Sequence, residues 1–120
     1  MEKPRLLVVD DDDHTRIAMH ALFSRRGWQV GLAATVAEGL SRLDPAPRCI
    51  ILDLNLPDGG GETILREVRS KYPGTLVAVC SGSTDSLQLA EVRDLQPELM
   101  LCKPYDIAPI ERLCLASLAG

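Results

Sequence analysis

The sequence predicts an α/β fold, a doubly wound parallel sheet of five strands with helices on both faces. Short apolar runs alternate along the chain with stretches of helical periodicity, and this alternation is typical of βαβ units. Four of the runs are continuously apolar, as strands buried on both faces should be: 6–9, 49–52, 76–80 and 99–102. With 120 residues, the chain is expected to form a single domain over 1–120.

A fifth run, 29–33, alternates between polar and apolar residues, which favours a strand at the edge of the sheet. Right-handed crossovers leave few topologies for five such strands. The order 2-1-3-4-5 places the alternating strand at an edge and the most apolar strands inside. In a sheet of this order, ligands bind at the carboxyl ends of the strands, near the switch point between strands 1 and 3.

Five helices are expected to connect or follow these strands. Three of them have bounds that the sequence suggests: 14–26, 62–72 and 85–95. A short helix after Thr35 and a last helix after Asp106 each follow a polar residue that suits the N-cap position. One apolar face of the first helix is expected to be buried, and its residues are Ile17, Ala18, Ala21 and Leu22.

The charge and hydropathy of the chain exclude several functional classes. The net charge is -4, and four aspartates form one run at 10–13, which argues against nucleic acid or an anionic membrane as a direct partner. No apolar run approaches the roughly 20 residues that a membrane span requires. The first residues lack the apolar core of a signal peptide, so a cytoplasmic protein is expected.

The four cysteines do not have the spacing of a zinc site, because they form no CxxC pair. They are Cys49, Cys80, Cys102 and Cys114. In a reducing compartment we expect no disulfide framework, and we interpret these residues as small buried hydrophobic side chains.

Four of the predicted strands end in residues that could do chemistry. Asp10 and Asp11 follow strand 1, Asp53 follows strand 3, and Ser81 and Lys103 follow strands 4 and 5. Neighbouring carboxylates repel one another unless a cation lies between them. A set of oxygen ligands suits a hard ion such as Mg²⁺. With Mg²⁺ and an ammonium, the crevice would neutralise an incoming phosphoryl group, and one carboxylate could be the nucleophile.

The motifs at these strand ends resemble those of the receiver domains of two-component response regulators. They are LLVVDD at 6–11, DLNLPDG at 53–59, SG at 81–82 and KPY at 103–105. They occur in order and at compatible spacing over the whole chain. The resemblance, to receivers of the chemotaxis-regulator kind, implies a flavodoxin-like (βα)5 fold. It also implies a place in a phosphorelay, with a sensor histidine kinase or phosphotransfer protein as the phosphoryl donor.

The resemblance also implies a metal site around the phosphoacceptor. Asp53 would accept the phosphoryl group and, together with Asp11, would ligate Mg²⁺ directly. Asn55 would contribute its backbone carbonyl to the metal. Asp10 would act through a metal-bound water.

By the same resemblance, Lys103 would pair with the phosphoryl group and Ser81 would hydrogen-bond to it, and the Lys103–Pro104 peptide would be cis. The face made by helix 4, strand 5 and helix 5 would then shift its equilibrium between two conformations. It would bind an effector domain, an output protein or a second copy of the chain. Met100 stands where the family usually has an aromatic switch residue, and Gly60 stands where many members have a polar one. The usual aromatic switch therefore cannot operate here.

Three other functions compete with this interpretation. An aspartyl-phosphate hydrolase of the haloacid-dehalogenase type would need a second carboxylate two residues after Asp53, where this chain has Asn55. A flavin-binding protein would need a Ser-, Thr- and Gly-rich first loop instead of four aspartates. A phosphorylation-independent interaction module with the same fold is the main alternative. Met100 favours it, and the intact Asp11, Asp53 and Lys103 set disfavours it.

We expect only self-phosphorylation and self-dephosphorylation, and no enzymatic turnover of a separate substrate.

Overall fold

Five parallel strands form one sheet in the computed structural model, which describes residues 2–119. The strands are β1 (Arg5–Val9), β2 (Gln29–Ala33), β3 (Cys49–Leu52), β4 (Leu76–Ser81) and β5 (Leu99–Cys102). Their order in the sheet is β2-β1-β3-β4-β5, so the predicted order and the predicted edge position of β2 are confirmed. Residues 1 and 120, which the expected domain bounds include, lie outside the described residues.

The register of the strands places their carboxyl ends side by side. Val9 of β1 pairs with Leu52 of β3, and Leu52 in turn pairs with Val79 of β4. At the next pair of strands, Ser81 is opposite Cys102. Because the strands are parallel and in register, the residues that follow β1, β3 and β5 meet at one edge of the sheet.

Within residues 2–119, five helices cover the sheet, at positions close to those expected from the sequence. They are α1 (Asp13–Arg25), α2 (Val36–Ser41), α3 (Glu62–Lys71), α4 (Ser86–Asp94) and α5 (Ala108–Ser117). Thr35 is the N-cap of α2, as predicted. The prediction for Asp106 is wrong by one residue: Ile107 occupies the N-cap of α5, and Asp106 instead accepts a hydrogen bond from the Ala108 N–H at 3.1 Å. Within the described residues, no helix has the length and apolarity that crossing a membrane requires.

The core consists of two layers, one on each face of the sheet. Alternate residues of a strand point to opposite faces, so that Val9 and Leu7 lie in one layer and Val8 and Leu6 in the other. Residues of α2, α3 and α4 complete the first layer, and residues of α1 and α5 complete the second. This double covering explains why the inner strands are continuously apolar.

The buried face of α1 differs from the predicted one. Met19 and Phe23 are buried against the sheet, whereas Ile17 is 67% exposed. The predicted Ala18 and Ala21 are exposed as well, whereas the predicted Leu22 packs partly buried against the core. Burial of an aromatic ring and a methionine removes more apolar surface from water than burial of a face with two alanines, so the larger side chains determine the orientation of the helix.

The four cysteines are all free, and three of them, Cys49, Cys80 and Cys114, are buried as predicted. Cys102 is exposed, so the prediction is wrong there. It is the last residue of β5, which forms the second edge of the sheet and is only partly covered by helices.

Candidate functional site

Three carboxylates meet at the carboxyl edge of the sheet. Asp10 and Asp11 directly follow β1 and Asp53 directly follows β3, and one carboxylate oxygen of each lies within 4.8 Å of the other two. Asp10 and Asp53 are 4% and 5% exposed, whereas Asp11 faces solvent. The sequence predicted this meeting from the residues that follow the parallel strands. In the structure, the backbone N–H of Asp53 extends the pairing of β1 with β3 by donating to the Val9 carbonyl at 2.8 Å.

Lys103 reaches the same cluster from the end of β5. Its Nζ donates to Asp10 Oδ2 at 3.0 Å and to Asp53 Oδ2 at 3.1 Å. Burial lowers the pKa of Lys103, but the hydrogen bonds to Asp10 and Asp53 and their negative charges outweigh this effect, so that the pKa is raised. The ammonium therefore stays charged and compensates two buried carboxylates, which would otherwise be costly to bury. The peptide from Lys103 to Pro104 is cis, as the resemblance implied.

The carboxyl group of Asp53 has a raised pKa. Burial is the main cause, and the negative charge of Asp10 adds to it. The Asn55 N–H, which donates to Asp53 Oδ1 at 3.3 Å, and the Lys103 ammonium act in the opposite direction without cancelling it. A divalent cation beside Asp53 would favour its charged form, which is the form that can act as a nucleophile.

The chemistry of this cluster fits a magnesium ion. In the described part of the chain, its three candidate side-chain ligands are all carboxylates, and Mg²⁺ prefers one or two carboxylates together with waters. Asp10 and Asp53 are constrained in the same way. The Oδ1 of each accepts from a backbone N–H two residues later, and the Oδ2 of each accepts from Lys103. The expected contribution of the Asn55 carbonyl stays a prediction.

The last two aspartates of the acidic run serve α1. Asp12 is the N-cap of the helix, and its carboxylate accepts hydrogen bonds from the His14 N–H and the Thr15 hydroxyl. Asp13 forms an ion pair with Arg16, whose guanidinium also donates to the backbone carbonyl of Asp10 at 2.7 Å. The run therefore divides into two residues at the carboxylate cluster and two that hold the start of α1 beside it.

Ser81 is the last residue of β4, the strand that lies between β3 and β5 in the sheet. It is buried, and its backbone carbonyl accepts from the Lys103 N–H at 3.0 Å. The Ser81 Oγ accepts from the Ser83 N–H at 3.0 Å. Because a hydroxyl has one donor and two acceptor positions, the proton of Ser81 is still available for an oxygen in the crevice.

Several residues around the crevice escaped prediction from the sequence. Gly61 packs on the backbone of Asp53 so closely that a side chain would collide with the Asp53 carbonyl. The run of three glycines at 59–61 was a signal for this close approach. Glu62 and Gln88, which join the loops after β3 and β4, carried no recognisable pattern, because their partners lie far away in the sequence.

Comparisons with known proteins agree with this arrangement. The family model of the response regulator receiver domain matches residues 6–114. The photosynthetic apparatus regulatory protein RegA of Rhodobacter capsulatus is 29% identical over 112 residues, which cover 92% of this chain and 61% of that protein. Sporulation initiation phosphotransferase F of Bacillus subtilis is 28% identical over 116 residues, which cover 92% of this chain and 90% of that protein.

The likeness extends to solved structures. A CheY-like response regulator receiver domain protein from Methanospirillum hungatei superimposes with a TM-score of 0.88 at 22% identity, covering 98% of this chain and 95% of that one. The chain spans only 45% and 61% of the length of two RegA proteins that it matches, those of Rhodovulum sulfidophilum and Rhodobacter capsulatus. Since the family model covers nearly all of the chain and the predicted motifs converge on one site, the chain belongs to the receiver domains of two-component response regulators.

Proposed function

We propose that Asp53 accepts a phosphoryl group from a phosphohistidine of a sensor histidine kinase or a phosphotransfer protein, in a reaction that requires Mg²⁺. The observation that carries the proposal is the bridge that Lys103 makes between Asp10 and Asp53 inside a cluster of three carboxylates. A lysine with two carboxylate partners and a neighbouring cation site offers the compensation that phosphoryl oxygens require. The name of the related phosphotransferase F is consistent with this class of reaction.

The proposed transfer forms one bond to phosphorus and breaks another. A carboxylate oxygen of Asp53 attacks the phosphorus as the bond from phosphorus to the donor imidazole nitrogen breaks. The electron pair of that bond stays with the imidazole, which takes up a proton. Asp53 is left as an acyl phosphate. Mg²⁺, when bound, would supply positive charge to the phosphoryl oxygens during this transfer.

The surrounding residues have separate tasks in this proposal. Asp11 and Asp53 hold the metal, with the backbone carbonyl of Asn55. Asp10 acts through a metal-bound water and keeps Lys103 in place through their hydrogen bond. Lys103 exchanges one of its carboxylate partners for a phosphoryl oxygen. Its raised pKa keeps it charged for that contact.

Phosphorylation would add about −1.5 to −2 charge units to the crevice. This charge would shift the equilibrium between two conformations of the face made by α4, β5 and α5. We propose this face as the binding surface for an effector domain, an output protein or a second copy of the chain. The strand of this face, β5, is only partly buried, and its last residue, Cys102, is exposed.

The proposal limits the chemistry to self-phosphorylation and self-dephosphorylation of Asp53, without turnover of a separate substrate. A cytoplasmic location, where a kinase could act as the donor, stays a prediction. A phosphorylation-independent interaction module is the second candidate function. The observation in its favour is Met100, which packs partly buried against the core layer of α2, α3 and α4 in place of an aromatic switch.

Intact-mass spectrometry after incubation with acetyl phosphate distinguishes the two candidates. The wild type is expected to gain one phosphoryl group in the presence of Mg²⁺ and none in the presence of a chelator. The Asp53→Asn variant should gain none under either condition. A folded wild type that takes up no phosphoryl group with Mg²⁺ present would favour the interaction module.

A further inference from the structure

The side-chain amide of Gln88, in the first turn of α4, connects the two loops that flank the carboxylate cluster. Its Oε1 accepts from the Ser83 hydroxyl at 2.6 Å. Its Nε2 donates to the Leu54 carbonyl at 3.2 Å and to Glu62 Oε2 at 2.9 Å. A carbonyl and a carboxylate only accept hydrogen bonds, so the partners fix which end of the amide faces which loop.

These contacts continue in both directions toward the crevice. Ser83 donates its backbone N–H to Ser81 Oγ at 3.0 Å. Leu54, on the other side, is the residue that follows Asp53 in the chain. A continuous path of hydrogen bonds and one peptide unit therefore runs from the hydroxyl of Ser81 through Gln88 to the backbone beside Asp53.

We propose that Gln88 is a positioning residue that acts through Ser83 to hold the hydroxyl of Ser81 at a fixed place relative to Asp53. The inference rests on the proposed function, and it adds a residue that none of the four receiver motifs contains. A donor that is held in place before the reaction costs no reorganisation during it. Without the amide, the loops after β3 and β4 would move independently, and the hydroxyl would be correctly placed for a smaller fraction of the time.

Contacts other than this amide also hold α4 in place. Asp85 caps α4 separately, accepting from the Leu87 and Gln88 N–H groups at 3.0 and 3.2 Å. Farther along, α4 is attached to α3 by the ion pair of Arg66 with Glu91. Arg69 donates to the Leu95 carbonyl just after α4, at 3.0 Å. Removal of the amide should therefore loosen one loop without releasing the helix.

A double-mutant cycle on the full chain tests the proposal. The rate of phosphoryl uptake from acetyl phosphate with Mg²⁺ is measured for the wild type, Gln88→Ala, Ser81→Ala and the double variant. Gln88→Ala should slow uptake about three- to tenfold, because a misplaced group loses part of its effect. In the Ser81→Ala background, Gln88→Ala should cause no further slowing, since it acts through the missing hydroxyl. No slowing in the single variant, or equal slowing in both backgrounds, would overturn the proposal.

An exchange of the two partner groups provides a second test. Gln88→Glu alone places a carboxylate against Glu62 and should slow uptake as well. Combination with Glu62→Gln rebuilds the amide–carboxylate hydrogen bond in the opposite sense. The combination should recover part of the lost rate, since the bond to the Leu54 carbonyl is not rebuilt. Absence of any recovery argues against a role for this hydrogen bond.

Hydrogen exchange in the unphosphorylated protein separates a failure of this inference from a failure of the proposed function. Gln88→Ala should speed amide exchange in segment 82–88, while the second half of α4 stays as protected as in the wild type. If the wild type took up no phosphoryl group, the proposed function would fail and the exchange measurement would still test the positioning role. Unchanged exchange in segment 82–88 would then overturn it.

Discussion

The Lys103 ammonium donates to Asp53 Oδ2 at 3.1 Å, although the two residues are 50 positions apart in the chain. The contact exists because Asp53 follows β3 and Lys103 follows β5, and the parallel strands bring both to one edge of the sheet. The fold therefore assembles the site. A shift in the register of the strands would separate the ammonium from the carboxylate.

Replacement of Lys103 by methionine should destabilise the domain and make its stability more dependent on Mg²⁺. The substitution keeps the length of the side chain but leaves Asp10 and Asp53 without their cation, at a cost of about 1–3 kcal/mol. Mg²⁺ should restore part of this loss by binding the uncompensated carboxylates. Thermal unfolding with and without Mg²⁺ measures both effects.

Lys71→Met is the matched control, because Lys71 makes an exposed pair with Glu67 on α3. Such a pair contributes about 0.3–0.5 kcal/mol, so the control should change little and respond to Mg²⁺ as the wild type does. Equal Mg²⁺ responses of Lys103→Met and the control would show that Lys103 does not compensate the cluster.

A methyl group at Gly61 should disturb the phosphoacceptor loop. The Cβ of an alanine would collide with the carbonyl of Asp53, and its next neighbour, the Leu54 Cα, would lie 3.1 Å away. Backbone atoms cannot move aside as a side chain can, so Gly61→Ala should cost about 1–3 kcal/mol in the free energy of unfolding. Gly74→Ala is the control, since nothing lies within 4 Å of its Cβ. Urea unfolding that gave the same small effect for both would contradict the packing argument.

The stability that Asp58 contributes should depend on pH. Its carboxylate accepts from the Val36 and Ala37 N–H groups at 2.7 and 3.0 Å, at the start of α2, and these hydrogen bonds lower its pKa in the folded state. A lowered folded pKa stabilises the fold fully above the pKa of an unfolded aspartate, and this stabilisation is lost as pH falls through the folded value. Asp58→Asn should therefore be less stable than the wild type at neutral pH, and the difference should shrink in acid. A difference that stayed constant from neutral to acid pH in urea unfolding would argue against this linkage.

The strands and the convergence of the site could be predicted because both follow from local patterns. A continuous apolar run such as 49–52 indicates a strand covered on both faces, and the polar residue after it marks the edge where ligands bind. The sequence alone thus predicts that Asp53 and Lys103 lie close together. The first residues of α2 and α5 were predicted to within a residue or two, because Thr35 and Asp106 are residues that suit an N-cap.

Other features depend on packing between distant segments and could not be predicted. The helical pattern placed Ile17 on the buried face of α1, but packing against the sheet buries the larger set of Met19 and Phe23 and leaves Ile17 exposed. The partners of Gln88 lie 34 and 26 residues away, so no sequence pattern points to them. Cys102 resembled a buried strand residue, and its exposure follows from the edge position of β5.

Among the three neighbouring carboxylates, we propose that Asp53 is the one that accepts the phosphoryl group. Borohydride reduces an acyl phosphate to the corresponding alcohol, which turns a phosphorylated aspartate into homoserine. The protein is treated with acetyl phosphate and Mg²⁺, reduced, digested and analysed by tandem mass spectrometry. We predict homoserine at position 53 and unmodified aspartate at positions 10 and 11. Homoserine at position 10 or 11, or at none of the three positions, would show that Asp53 is not the phosphoacceptor.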